Sequence, residues 1–313
     1  MKSLHILLVP IFAAASVRAD ILSDLSPFLS SSRPDYDPAS IEPDSAVGNP
    51  GFAPFSPADS DLGLQQILGT YSGRAPVNVT FDTSISYTDN APGEIPLDDE
   101  AAWFSASRLA GYWRPRIAYG WFADIGLAQE LLRFEGSNAG DYENFEPWIG
   151  VVKSIPELDD LVFFTRYEYQ RITSGSLSDS SYSAQRIRTG LQKDLLLASR
   201  YQLAAGLDAA FDLTADADTQ ERNEYSADVR YTYWFADHLS STLSWTGSMW
   251  DFKDEGREDW NHIVGLELTW TPCKNTVIYT NVFYTNHDSN EDSDANDFEA
   301  WQSGIGFGLN YSF

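Results

Sequence analysis

Trp301-Gln302-Ser303-Gly304-Ile305-Gly306-Phe307-Gly308-Leu309-Asn310-Tyr311-Ser312-Phe313 closes the chain. Odd positions carry Trp301, Ile305, Phe307, Leu309, Tyr311 and Phe313, interrupted only by Ser303. Even positions carry Gln302, Gly304, Gly306, Gly308, Asn310 and Ser312. A period of two marks a β-strand, because successive side chains leave a strand on opposite sides. One face apolar but for Ser303 and the other small or polar fits a closed sheet with lipid outside and water inside.

The same alternation runs outward from this stretch through residues 77–313. It is clear at Val77-Val79-Phe81-Thr83-Ile85-Tyr87, at Tyr201-Leu203-Ala205-Leu207-Ala209-Phe211 and at Tyr225-Ala227-Val229-Tyr231-Tyr233-Phe235. The pattern predicts strands over 77–88, 102–113, 116–133, 144–155, 160–172, 182–193, 200–213, 224–235, 239–250, 260–271, 275–286 and 300–313. Short connections at Arg114-Pro115, 156–159, 195–199, 236–238 and 272–274 alternate with longer polar ones at 89–101, 134–143, 173–181, 214–223, 251–259 and 287–299. Short turns at one rim and long loops at the other are how a membrane barrel is organised, and an even strand number returns both termini to the short-turn rim. The fold class expected is all-β: a transmembrane antiparallel up-and-down β-barrel of about 12 strands.

The C-terminal strand resembles that of bacterial outer-membrane β-barrels, which ends on a lipid-facing aromatic. The resemblance implies that Tyr311 and Phe313 form the insertion signal read by the barrel-assembly machinery. It also implies a porin-like protein of the cell outer membrane, with outer-membrane lipid as its surroundings and both termini in the periplasm.

The N-terminus agrees. Lys2, an apolar run from Leu4 to Ala15 and the small-residue site Val17-Arg18-Ala19 read as a secretory signal peptide over 1–19. Residues 20–76 are rich in Pro, Ser and Asp and read as a mostly disordered periplasmic segment. Within it, Asp59–Leu68 reads either as a linker turn or as an amphipathic plug element. No later segment reaches the 18 apolar residues of a membrane-spanning helix.

Composition narrows function. Mean hydropathy is -0.31, too polar for a helical membrane protein but ordinary for strands wetted on one face. Aromatics make up 14% of the chain, with Trp 10, Tyr 16 and Phe 18, enough for girdles at two interfaces. A net charge of -26 argues against nucleic acid as a partner.

If the apolar face meets lipid, the opposite face lines the lumen. That assigns Asp124, Glu130, Arg166, Glu168, Arg186, Arg188, Asp208, Asp228, Arg230 and Glu267 to the pore, with Asp82 and Asp212 beside them. Two readings are open. Arg–carboxylate pairs fill the lumen and stiffen the barrel, or they set a transverse field at a constriction that selects small solutes or ions. The acidic loops favour cations at the mouth. Trp234 and Trp250 fall on the inward register and are the aromatic candidates for solute contact.

Catalytic signatures are weak. Twelve-strand outer-membrane phospholipases carry a His followed closely by Ser and Asn, which His262 lacks. Asp259 and His262 resemble the Asp-His pair of omptin-like proteases only superficially. No catalytic residue is assigned and no cofactor is expected, apart from Ca2+ held loosely by Asp288, Asn290, Asp292, Asp294 and Glu299. Those oxygens fall at EF-hand spacing, although Ser293 stands where the sharp turn wants Gly. The reading reached is a narrow, cation-favouring diffusion channel. A closed structural or adhesion barrel with a periplasmic partner is the alternative, and an outer-membrane hydrolase comes third.

Overall fold

The computed structural model describes residues 77–91, 100–135, 141–155, 158, 161–173, 180–198, 200–216, 221–253, 256–273, 275–290 and 297–313. The expected signal peptide, the 20–76 segment and most of the long loops lie outside the described residues.

The strands are β1 (Val77–Ala91), β2 (Glu100–Trp113), the short β3 (Arg116–Ala118), β4 (Trp121–Phe134), β5 (Tyr142–Ile155), β6 (Leu161–Thr173), β7 (Ser180–Ala198), β8 (Tyr201–Ala215), β9 (Arg222–Ala236), β10 (Leu239–Phe252), β11 (Glu258–Cys273), β12 (Thr276–Ser289) and β13 (Phe298–Ser312). The long strands pair antiparallel with their neighbours in sequence, β2 pairs β4 and β1 pairs β13, so the sheet closes on itself. Closure pairs both edges of every long strand among the described residues, as hydrocarbon requires. The seam is fixed at its end, where the Phe313 amide donates to the Val77 carbonyl at 2.9 Å and the Val77 amide donates back at 3.3 Å.

Facing follows the alternation. Trp301, Ile305, Tyr311 and Phe313 are exposed on the outer wall, Phe313 at 74%. So are Tyr167, Tyr231, Trp245 and Trp270. Even-numbered residues of β2 through β10 point inward, and odd-numbered ones do so on β11 and β12, as their cross-strand registers require.

Three expectations about connections are corrected. The strand expected over 116–133 is interrupted: Tyr119 and Gly120 form a turn between β3 and β4, with Gly120 at φ 68, a left-handed conformation that glycine adopts without steric cost. A Cβ there would also meet the Ser154 carbonyl oxygen at 2.7 Å. The connection expected over 195–199 is mostly strand, because β7 continues through Ala198. β11 likewise continues through Cys273, into the expected 272–274 turn.

Candidate pore lumen

The inward face holds two different walls. Along β4 to β9 it is charged and packed. Asp124 is fully buried and accepts from two guanidiniums at once, Arg114 Nε at 2.7 Å and Arg166 Nε at 2.6 Å. Arg114 rests on the Tyr112 ring, 3.9 Å from its centroid, and Arg166 lies 5.4 Å from that of Trp148. Trp148 can lie down against the wall because Gly126 faces it; a Cβ there would meet the indole at 2.2 Å.

Arg188 is the hub of a second cluster. It reaches Asp208 at 2.6 Å, Glu168 at 3.2 Å and Glu224 at 3.5 Å, drawing together β6, β7, β8 and β9. Arg186, two residues along the same face, pairs with Asp212 at 3.3 Å and donates to the Tyr182 hydroxyl at 3.2 Å. Asp208 also accepts from Ser226 Oγ at 2.5 Å. Arg230 pairs with Asp228 at 3.6 Å. Charges removed from water at this depth persist only when paired and hydrogen-bonded, and the register supplies those partners.

All ten residues assigned to the lumen from the sequence face inward. Asp124, Glu130, Arg166, Glu168, Arg186, Arg188 and Asp228 are buried, whereas Asp208, Arg230 and Glu267 keep some exposure. Arg166, Arg188 and Asp208 do not form a simple ladder. Arg166 and Arg188 are register partners, yet Arg166 turns to Asp124 and Arg188 to its carboxylates.

The facing wall, along β10 to β13 and β1, carries runs of small and uncharged polar side chains, with the larger Ile263, Tyr279 and Phe283 among them. Ser240, Thr242, Ser244, Thr246 and Ser248 follow one another inward on β10, and Gly304, Gly306 and Gly308 on β13. Away from the long-loop rim its carboxylates include Glu267, which accepts from Thr269 at 2.7 Å, and Asp82, which accepts from the Tyr279 hydroxyl at 2.7 Å.

Near the long-loop rim a third cluster closes around Asp259. Arg257 donates to it through two nitrogens, Nε at 2.8 Å and Nη2, Ser289 Oγ donates at 2.6 Å, and His287 Nε2 stands 3.4 Å away. The His287 ring sits between Trp250 and Phe298, at centroid distances of 5.3 and 5.1 Å. Sequence reasoning missed this cluster, although Asp259 and His287 both carry inward parity.

The structure bears on two residue readings from the sequence. Trp250 faces inward but has no exposed surface; Arg222 covers its ring at 4.4 Å, so it contacts neighbouring side chains and not solute. Asp259 and His262 cannot act as a pair, because they leave β11 on opposite sides: Asp259 is in the lumen, and His262 is on the outer wall stacked on Trp245 at 6.1 Å.

Two of the five residues in the calcium reading, Asp292 and Asp294, lie outside the described residues. Of the others, Asp288 stands opposite the outward Trp260. The Asn290 side-chain oxygen accepts from the Glu258 amide at 2.9 Å, and Glu299 is exposed on β13. Among the described residues no group of three His, Cys, Asp or Glu side chains is placed to hold a metal.

No family model matches the chain, and no curated protein matches it. Among solved structures it is similar to the COG4313 outer membrane channel from Pseudomonas putida F1, with a TM-score of 0.53 at 10% identity over 76% of this chain and 95% of that one. The anion-selective porin from Comamonas acidovorans aligns at a TM-score of 0.40 and 10% identity, over 76% and 99% of the two chains. The KdgM porin aligns at 0.41 and 12%, over 74% and 99%. At these identities the likeness is one of fold, and the fold, closed, apolar outside and polar within, is that of the bacterial outer-membrane β-barrels.

Proposed function

We propose that this protein is a narrow diffusion pore of the outer membrane for small solutes, with its short-turn rim and both termini in the periplasm. The observation that carries the reading is the asymmetry of the lumen. Salt bridges fill the β4 to β9 side, whereas the β10 to β13 and β1 side is lined mainly by Ser, Thr, Asn and Gly, with Ile263, Tyr279 and Phe283 among them, and leaves room. A small-residue wall facing a fixed charged wall is a path with a built-in transverse field, and such fields sort permeating solutes by charge. Asp82 and Glu267, the carboxylates on the small wall, favour cations along it.

A twelve-strand barrel stands between eight-strand barrels, filled by side chains, and sixteen-strand porins with aqueous channels. The path is therefore narrow, and solutes are small. The resemblance to a solved outer membrane channel supports the fold on which this reading stands.

The test is single-channel recording of the refolded full-length chain in a planar bilayer under a salt gradient. Steady steps with a cation-directed reversal potential support the reading. Silence from protein shown to be folded would put the alternative first, a closed structural barrel, which the density of the Arg188 and Asp124 networks favours.

A further inference from the structure

The inner walls of β1, β2, β4, β11, β12 and β13 border a half-open cavity of about 170 Å³. Its lining is divided. Toward the long-loop rim it carries its apolar side chains, Phe104, Leu132, Phe134, Ile263 and Phe283, with the uncharged Ser86, Thr285 and Gln302 beside them. Phe104 and Phe134 are register partners whose ring centroids lie 5.2 Å apart. Toward the short-turn rim it is charged. Asp82, Arg108 and Glu130 form one lateral row, since Arg108 is the register partner of both Asp82 on β1 and Glu130 on β4.

The signs in this row decide the ligand. One guanidinium stands between two carboxylates. A third carboxylate, Glu267, is the register partner of Asn281, which lines the same space. The excess is negative, and the Arg108 positive charge is flanked by carboxylates in register on both sides. A cation entering the row is attracted, and an anion of the same shape is repelled.

Size and spacing set the rest. A cavity of about 150 Å³ lined by aliphatic and aromatic side chains holds one benzene ring, so this one accommodates a single ring with a short arm. The Ala106 and Leu132 row lies two residues, about 7 Å along the strand, from the Arg108 and Glu130 row, within reach of a two-carbon chain. Aromatic faces beside the arm add attraction for an ammonium group.

We infer that this cavity binds small cationic amphiphiles, a single ring bearing a short alkylammonium arm, with the ring among Phe104, Leu132 and Phe283 and the ammonium against Asp82 and Glu130. As a step on a solute path the site rests on the pore reading; as a binding site it stands on the cavity itself.

The test is isothermal titration calorimetry of the full-length chain refolded in detergent, with phenethylamine, phenethyl alcohol, phenylacetate and ethylamine as probes. Phenethylamine is expected to bind saturably, and phenylacetate and ethylamine at least about tenfold more weakly, since one lacks the right charge and the other the ring. Asp82→Asn is expected to weaken phenethylamine by roughly tenfold and leave phenethyl alcohol unchanged. If Asp82→Asn fails to fold, Glu267→Gln is expected to shift phenethylamine in the same direction. Equal binding of phenethylamine and phenylacetate, or no saturable heat with phenethylamine, would overturn the inference. Bilayer recording of the same preparation separates the two claims. Conductance without phenethylamine binding removes the site and keeps the pore, and binding without conductance keeps the site and removes the pore.

Discussion

The Tyr279 phenol crosses Gly306 to donate a hydrogen bond of 2.7 Å to Asp82, tying β12 to β1 over the intervening C-terminal strand. Gly306 is what lets the ring pass: a Cβ there would stand 2.1 Å from Tyr279 Cζ. The barrel seam is thus bridged by side chains as well as by backbone. Gly306→Ala is expected to destabilise the folded barrel by about 1–3 kcal/mol, through displacement of the ring and loss of the bond. In a Tyr279→Ala background the same substitution should cost much less, because the clashing atoms are gone. Urea titration in detergent, read by the mobility shift of folded protein on unheated gels, measures both. Equal costs in the two backgrounds would show that the glycine serves something other than the passage of Tyr279.

Arg188 joins three carboxylates, so it and its partners are unequal under mutation. Arg188→Met leaves Glu168, Asp208 and Glu224 facing one another in a dry wall, and a loss of about 3–5 kcal/mol is expected. Glu168→Gln removes one charge, leaves the other two partners in place and should cost about 1–2 kcal/mol. The same urea titration checks the order, and a smaller loss for Arg188→Met than for Glu168→Gln would contradict the hub.

The alternation in Trp301–Phe313 was legible because a membrane fixes both faces of a strand: one side must be apolar, and the other is free to be polar. Parity alone therefore placed Asp124, Arg166, Arg188 and Glu267 inside. The pairing of those charges was not legible. Asp124 and Arg166 are 42 residues apart, and only the register of β4, β5 and β6 brings them within 2.6 Å. Parity likewise placed Trp250 inside but could not say that Arg222 and His287 would cover it. The β3 hairpin escaped notice because Arg116-Ile117-Ala118 continues the alternation of its neighbours; Gly120 was the available signal. The division of the lumen into a charged and a small wall was written in the runs of Ser and Thr on β10 and of Gly on β13. Their common side emerges only once the sheet closes.

Charge selection along the small wall should depend on Glu267 and Asp82. Removing one carboxylate about 10 Å from a permeating ion in water changes its energy by about 0.4 kcal/mol, or about twofold in relative permeability. Glu267→Gln is therefore expected to lower the cation-to-anion permeability ratio by about twofold, with single-channel conductance largely retained. Arg188→Gln, in the packed wall, should move the ratio less for the same change of charge. Reversal potentials across a salt gradient decide it. If Glu267→Gln leaves the reversal potential unmoved, the ion path does not pass along β11.

Phe313 stands last on the chain with its side chain 74% exposed on the outer wall, and its backbone closes the seam against Val77. These two roles make separable predictions. The backbone pairing needs a residue at 313 but no aromatic ring, so Phe313→Ala should refold into lipid vesicles with a yield close to that of the unaltered chain. The ring would matter to a partner that reads the terminal strand before closure, the role that the sequence resemblance implies for the barrel-assembly machinery. In cells, Phe313→Ala should then lower the amount of folded barrel in the outer membrane several-fold, whereas deletion of Phe313 should impair both assembly in cells and refolding in vesicles. Unheated gel mobility of membrane fractions and of vesicle refolding reactions reads the two arms side by side. A Phe313→Ala chain that assembles normally in cells would leave the aromatic with no role beyond its contact with lipid.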